Sequence, residues 1–180
     1  MANPSSKTEL IGGVEKRQIT IVDYDPAWPH KFETQRRIIS EALGEAALQV
    51  EHIGSTSVVG LAAKPIIDIL VVVGDAADEA SYPERLNAAG YLLRVREPDW
   101  HEHRMFRTPE KDAHIHIFSV GCEQIGRHLK FRDRLRTSIG DRRRYEELKR
   151  ALAAQDWPDM NAYANAKAEL VKQIIVAAQT

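Results

Sequence analysis

The hydrophobic and polar positions along this chain switch several times between strand-like and helix-like patterns. The most apolar stretch, residues 65–73 (Pro-Ile-Ile-Asp-Ile-Leu-Val-Val-Val), is typical of a central strand buried on both faces. Shorter alternating segments predict strands at 18–22, 50–53, 91–95, 104–107 and 113–118. Helical spacing of apolar residues predicts helices at 27–43, 82–89, 122–136, 141–154 and 160–178. Together they predict an α/β fold, a small mixed β-sheet with flanking helices and a C-terminal helical block from about residue 122.

Asp68 interrupts the apolar run, and an ionised carboxylate in a buried strand is costly unless a cation or hydrogen-bond donors lie beside it. The turn 54–57 (Gly-Ser-Thr-Ser) comes before this strand, and Lys64 adds a positive charge. Glycine allows close backbone approach, and amides and short hydroxyls at such a turn can hold phosphate oxygens. This combination predicts a phosphate or nucleotide site. The alternative is a polar connection in which Asp68 pairs with a basic residue.

Two histidines offer a second source of ligands. His114 and His116 alternate on one predicted strand, so both imidazoles point to the same face. With Asp68 they predict a metal site, and two imidazoles with one carboxylate favour Zn²⁺, Mn²⁺, Fe²⁺ or Ni²⁺ over Mg²⁺. The alternative is a pair of histidines hydrogen-bonded to Asp68. His101 and His103, on a predicted turn, are weaker candidates.

A strongly basic segment spans residues 127–136. It is either a solvated helix face with internal ion pairs, or an arginine set that faces the turn 54–57 and binds an acidic ligand. Without an aromatic platform for stacking bases, nucleic acid is an unlikely partner.

Residues 52–58 (His-Ile-Gly-Ser-Thr-Ser-Val) and 60–68 (Gly-Leu-Ala-Ala-Lys-Pro-Ile-Ile-Asp) resemble the signature of the GrpB family, as do residues 131–136 and 145–149. That family is placed in the nucleotidyltransferase superfamily. The resemblance implies a GrpB-like nucleotidyltransferase-fold domain over residues 16–180. It implies three sets of site residues: Asp68 and Ser55 in catalysis; Gly54, Ser55, Thr56, Lys64, Arg132 and Lys149 as phosphate or nucleotide contacts; and Asp68, His114 and His116 as metal ligands.

Leu70 departs from the superfamily pattern, in which a Gly-Ser turn is followed by Asp-x-Asp. The second aspartate would fall at Leu70, which cannot bind Mg²⁺. The implied function is binding of a nucleotide or phosphorylated metabolite, with nucleotidyl transfer dependent on a divalent metal (Mg²⁺, Mn²⁺ or Zn²⁺). Two alternatives remain: a non-catalytic nucleotide- or metabolite-binding module on the same fold, and a helical interaction adaptor.

Composition sets the remaining expectations. The chain has 180 residues, enough for one domain, and its net charge of −1 gives no general attraction to nucleic acid or membranes. The single cysteine, Cys122, fits a reducing cytoplasm. We expect a cytoplasmic protein with a small-molecule partner and no membrane contact, and we expect residues 1–15 to be disordered; the oligomeric state is left open.

Overall fold

The computed structural model describes residues 8–16 and 18–178. The strands are β1 (Glu9–Leu10), β2 (Gln49–Ile53), β3 (Ile67–Val73), β4 (Leu92–Glu97), β5 (His103–Arg107) and β6 (Ala113–Ser119). The helices are α1 (Trp28–Leu43), α2 (Pro83–Ala88), α3 (Glu123–Thr137), α4 (Ile139–Ala153), α5 (Met160–Asn165) and α6 (Ala168–Ala177). Two 3₁₀ turns follow α1 and β2, at Gly44–Ala46 and Ser55–Ser57. Among the described residues, no helix combines the length and the apolar character needed to cross a membrane.

The strands form one six-stranded sheet in the order β1-β4-β5-β6-β3-β2. The pairing of β3 with β6 is parallel, and the other pairings are antiparallel. The predicted central strand is β3, which lies between β2 and β6, and its residues from Ile69 to Val73 are at most 3% exposed. The predicted mixed sheet with flanking helices is therefore confirmed.

The two faces of the sheet are covered differently. One face of β3, with Ile69 and Val71, packs under α1 and α2 in the largest apolar cluster, which includes Trp28, Ile39 and Leu86. The opposite face carries Asp68 and Leu70. Around Leu70 this second face is closed by apolar side chains of β2, β6 and α3: Ile53, Phe118, Ile125 and Leu129. Asp68 lies beyond this apolar patch and keeps 33% of its side chain exposed.

The strand predicted at residues 18–22 is wrong. Only Val22 pairs with the sheet region, through a single antiparallel bridge to Ala63. Ile19 and Ile21 instead pack against Leu152 of α4 and its neighbours. The alternating apolar residues of this segment are thus used to contact the C-terminal helices, and no strand forms.

The prediction of a single helix at residues 160–178 is also wrong, because the helix is interrupted between α5 and α6. Tyr163 of α5 packs in a cluster with Ile19. Ile174 and Ile175 of α6 pack in a different cluster, with Phe131 of α3. A continuous helix has one apolar face, which can pack against one cluster. The break between α5 and α6 lets each helix turn its apolar side toward a different cluster.

Within residues 1–15, which the sequence predicts to be disordered, residues 9–13 contact the sheet. Glu9 and Leu10 pair with Arg96 and Val95 of β4, and Arg94 donates to the carbonyl oxygens at positions 11 and 13. Residues 1–7 lie outside the described part of the chain.

Candidate functional site

The turn after β2 brings the backbone against Asp68. Gly54 has φ 69° and ψ −172°, a conformation that side-chain-bearing residues rarely adopt. A Cβ atom at Gly54 would lie 2.5 Å from Oδ2 of Asp68. Glycine at this position therefore allows both the turn and the close approach of the Asp68 carboxylate.

The two predicted histidines lie beside Asp68 on β6. In the parallel register Asp68 is opposite His114, and Leu70 is opposite His116. His114 Nδ1 is 3.5 Å and His116 Nε2 is 3.7 Å from the same oxygen, Asp68 Oδ1. One potential ligand atom from each of the three residues lies within 4.8 Å of the other two. The structure thus brings together the three residues that the sequence predicted as metal ligands.

The spacing of these atoms suits an ion better than direct hydrogen bonds. Hydrogen bonds between such groups measure about 2.7–3.2 Å, shorter than either Asp68–imidazole distance. Two ligands of a tetrahedral ion with bonds of about 2.1 Å lie about 3.4 Å apart, close to the observed values. Burial alone would raise the pKa of Asp68, but the adjacent imidazoles outweigh it and hold the pKa below its ordinary value. Asp68 is therefore an ionised acceptor in a position where a cation fits.

Next to Asp68 lies a cavity of about 120 Å³, which we call the lysine cavity. Its lining includes the turn residues Gly54, Ser55 and Thr56, the site residues Asp68 and His114, two tyrosines (Tyr145 and Tyr163) and three lysines (Lys64, Lys149 and Lys167). Asp68 is the acidic residue among these described lining residues. The predicted phosphate contacts Lys64 and Lys149 therefore line the same cavity as the turn, and Lys167, which no sequence pattern indicates, lines it too.

Lys149 is the most deeply buried of the cavity lysines, at 3% exposure. Its Nζ donates to Ser55 Oγ at 3.0 Å and to the carbonyl oxygen of Ala62. Burial, assisted by the positive charge of Lys167, lowers the pKa of Lys149 to about 7. Burial also lowers the pKa of Lys167. The shift of Lys149 reflects neighbouring ammonium groups as well as burial, and both shifts mark buried ammonium groups that a bound anion would stabilise.

Tyr163 of α5 connects two of these lysines. The ammonium groups of Lys64 and Lys167 lie 5.0 Å and 4.5 Å from the centre of its ring. The Tyr163 hydroxyl is buried and has no hydrogen-bond partner within the described part of the chain. A buried polar group without a partner is uncommon and costs about 1–3 kcal/mol, so this hydroxyl marks a position where a ligand or water would be favourable.

Thr56 has a different part from the one that the sequence suggested. Its hydroxyl donates to the carbonyl oxygen of Ile66 at 3.3 Å and lies 3.0 Å from His52 Nε2. Its side chain is thus occupied in holding the turn against β2 and the chain before β3. Any contact of Thr56 with a phosphate would have to come from its backbone.

Arg132 does not reach the lysine cavity. Its guanidinium donates to Glu51 at 2.7 Å and to the carbonyl oxygen of His52 at 3.2 Å. It lines a separate cavity of about 780 Å³ at the edge of β2, together with Arg136 and Arg142. The sequence predicts Arg132 as a phosphate contact, whereas the structure places its guanidinium against the Glu51 carboxylate on the edge strand β2, in this separate cavity.

Sequence reasoning undervalued His103, which is the first residue of β5 and not part of a turn. His103 Nε2 lies 3.0 Å from His116 Nδ1, and His103 Nδ1 lies 2.7 Å from Glu97 Oε2. Burial lowers the pKa of His103 to about 4, against the opposing effect of Glu97. The available signal was the hairpin of β5 and β6, which aligns Met105 with His116 and puts His103 on the same face.

Leu70 lies on the same face as Asp68, as strand alternation predicts. It is fully buried in the apolar patch beneath α3. The place of a second aspartate is therefore filled by a packed side chain.

The chain resembles proteins of one bacterial family along most of its length. The model of the GrpB protein family matches residues 18–176. A UPF0157 protein of Halalkalibacterium halodurans is 52% identical over 157 residues, which is 87% of this chain and 80% of that protein. A dephospho-CoA kinase of Mycolicibacterium paratuberculosis is 28% identical over 180 residues, which is 86% of this chain and 44% of that protein.

A solved structure from the same family gives the same relationship. The crystal structure of the conserved protein GrpB from Enterococcus faecalis superposes with a TM-score of 0.78 at 35% identity, covering 88% of this chain and 96% of that one. The Cid1 poly(U) polymerase superposes more weakly, with a TM-score of 0.45 at 15% identity over 72% of this chain and 45% of that one. From the family model and the relative from Halalkalibacterium halodurans, the chain belongs to the GrpB family.

Proposed function

We propose that this protein binds the phosphate group of a nucleotide or another phosphorylated metabolite in the lysine cavity. The observation that carries the proposal is the charge of the lining: Lys64, Lys149 and Lys167 line one cavity together with the turn that begins at Gly54. Ammonium groups, backbone amides and hydroxyls are the groups with which proteins hold phosphate oxygens. A phosphate would also supply an acceptor for the buried Tyr163 hydroxyl.

A divalent cation held by Asp68, His114 and His116 completes the proposed site. Two imidazoles and one carboxylate favour Zn²⁺ or Mn²⁺, since Mg²⁺ prefers oxygen ligands and regular octahedral geometry. When bound, such an ion would neutralise negative charge on phosphoryl oxygens. The residues of the chain would fix its position, while Lys149 and Ser55 would orient the phosphate beside it.

Nucleotidyl transfer is the more specific form of this proposal, and binding without turnover is its competitor. The buried Leu70 favours binding alone, because it removes the second carboxylate that the two-metal arrangement of nucleotidyltransferases uses. Transfer would depend on a single ion at Asp68. The relative named as a dephospho-CoA kinase makes CoA precursors reasonable ligands to test beside the nucleotides.

The test is a thermal-shift screen of nucleoside mono-, di- and triphosphates and CoA precursors, with and without Mn²⁺ or Zn²⁺. A ligand at about 100 times its Kd stabilises the folded state by about 2.7 kcal/mol, which a melting curve resolves easily. Lys149→Met should abolish the shift. Lys130→Met, on the exposed side of α3, is the matched control and should keep it.

Hits are then incubated with metal and an acceptor and followed by chromatography, which separates turnover from binding. A shift that survives Lys149→Met would place the ligand outside the lysine cavity and contradict the proposal. Absence of any ligand would favour the helical interaction adaptor.

A further inference from the structure

We infer that Glu97 and His103 are positioning residues that hold His116 with an unprotonated Nε2 directed at the metal position, an inference that rests on the proposed site at Asp68. The observation is a continuous line of contacts from β4 across β5 to β6. Glu97 Oε2 lies 2.7 Å from His103 Nδ1, and His103 Nε2 lies 3.0 Å from His116 Nδ1. Both distances are those of good hydrogen bonds.

The chemistry of these groups decides which atom donates and which accepts in each of the two hydrogen bonds. An ionised carboxylate only accepts hydrogen bonds, so Glu97 requires a proton on Nδ1 of His103. A neutral imidazole carries one proton, so Nε2 of His103 is then an acceptor. The proton between the two rings must therefore sit on Nδ1 of His116. In the neutral form of His116, the form that binds a metal ion, Nε2 then carries the lone pair.

Burial keeps His103 in this neutral form. The ring is only 5% exposed, and it is enclosed by the rings of Trp100, Phe118 and His116 at centroid distances of 5.4, 4.8 and 5.2 Å. A second proton would put a cationic ring among apolar neighbours, which is costly. It would also replace the acceptor at Nε2 with a donor and reverse the contact with His116.

The position of the proton on His116 matters because the other ring nitrogen, Nε2, faces Asp68. Nε2 of His116 points toward Oδ1 of Asp68 at 3.7 Å. In the neutral ring, with its proton on Nδ1, two acceptors face each other across that distance. They repel unless a cation lies between them or the ring gains a second proton, and either change also keeps Asp68 ionised. Metal-binding histidines commonly donate their second ring N–H to a partner that fixes tautomer and ring orientation. Glu97 and His103 supply that partner from strands that contribute no predicted metal ligand.

The direct test is the tautomer of His116 in the metal-free protein. Long-range ¹H–¹⁵N correlation spectra distinguish protonated from lone-pair nitrogens in each imidazole. We expect His116 to be protonated on Nδ1 and unprotonated on Nε2, and His103→Phe to remove that preference. A proton on Nε2 of His116 in the unaltered protein would overturn the inference, whatever the metal affinity.

The second test is metal affinity, measured by equilibrium dialysis with Zn²⁺ and Mn²⁺. His103→Phe should weaken binding about 10–100-fold, as loss of such a partner typically does. Glu97→Gln should weaken it less, because an amide can either donate to or accept from His103. His128→Phe is the matched control: its ring lies 6.2 Å from that of His116, and the described structure shows ring contacts without a hydrogen bond between them.

The two tests separate this inference from the proposed function. If the unaltered protein binds neither ion, the proposed metal site fails, while the His116 tautomer still decides whether the positioning line exists. If it binds and His103→Phe binds equally well, the proposed site stands and the inference is wrong. Melting curves show whether each variant is folded, and the spectrum of the unaltered protein decides the question if a variant is not.

Discussion

Replacing Gly54 with alanine tests how closely the turn and the carboxylate are fitted to each other. The added methyl group would lie 2.5 Å from Oδ2, 3.1 Å from Cβ and 3.2 Å from Cγ of Asp68. It would also force an alanine into φ 69° and ψ −172°. Gly60 provides the matched control, because it has φ 77° and an added Cβ there would meet no atom within 4 Å. Gly60→Ala therefore changes the backbone preference without a collision.

The two substitutions separate two costs. A side chain at a left-handed position costs about 1–2 kcal/mol, and this is the expected destabilisation for Gly60→Ala. At Gly54 the backbone conformation costs about 1–3 kcal/mol. Overpacking against Asp68 adds about 1–3 kcal/mol. Gly54→Ala should thus destabilise by about 2–6 kcal/mol, a large part of the stability of an ordinary domain.

The free energies are measured by urea denaturation, with metal affinity followed in parallel. Gly54→Ala should also weaken Zn²⁺ binding, because relief of the collision moves the Asp68 carboxylate. Combining it with Asp68→Ala removes the 2.5 Å contact, so the double variant should be more stable than the sum of the two single effects predicts. Equal destabilisation by Gly54→Ala and Gly60→Ala, with additive behaviour in the double variant, would refute the close fit.

Four further outcomes are expected. Asp68→Asn should abolish Zn²⁺ and Mn²⁺ binding in equilibrium dialysis, since it keeps the shape and removes the charge; retained binding would place the ion elsewhere. Phosphate-ligand affinity should fall as pH rises from about 7 to 9, because Lys149, with a pKa of about 7, loses its proton while the phosphate is already fully ionised; calorimetry of Lys149→Met should lack this fall. Tyr163→Phe should weaken ligand binding and leave the melting temperature of the ligand-free protein unchanged or raised. A lower melting temperature without ligand would show that the hydroxyl has a protein partner. Leu70→Asp, which recreates Asp-x-Asp, should destabilise by at least about 2–5 kcal/mol in urea, as loss of a buried leucine does, and a stable variant would show that the apolar patch is open to water.

Local patterns in the sequence predicted the part of the site that lies on adjacent strands. The apolar run around Asp68 identified the central strand, and simple alternation put His114 and His116 on one face. These features depend on the two-residue repeat of a strand, which is readable from sequence alone. The pairing of β3 with β6, which brings the two strands into contact, is not encoded in the local pattern of either strand.

The basic residues on helices were harder to assign, because helical periodicity does not say which face another element will cover. Lys149 shares the buried face of α4 with Tyr145 and Leu152, so its position among apolar residues was a usable signal for a buried ammonium group. Arg132 is next to the buried Phe131 in α3, but its guanidinium pairs with the Glu51 carboxylate. Lys167 lies at the junction of α5 and α6 and reaches the cavity through tertiary packing alone, which no local pattern encodes.

The structure offers a physical reason for imidazoles at this site in place of a second aspartate. A carboxylate at position 70 would lie among the apolar side chains of this patch, whereas Leu70 fills that space. His116, opposite Leu70 in register, reaches Asp68 from the neighbouring strand and keeps its second nitrogen on the polar side, toward His103 and Glu97. The negative charge that an Asp-x-Asp pair would concentrate on β3 is thereby divided between Asp68 and the distant Glu97. A metal site of the proposed composition would lose affinity for Mg²⁺, which prefers oxygen ligands, and gain it for ions such as Zn²⁺ that imidazole suits. The choice of metal would then follow from the same packing that excludes the second aspartate.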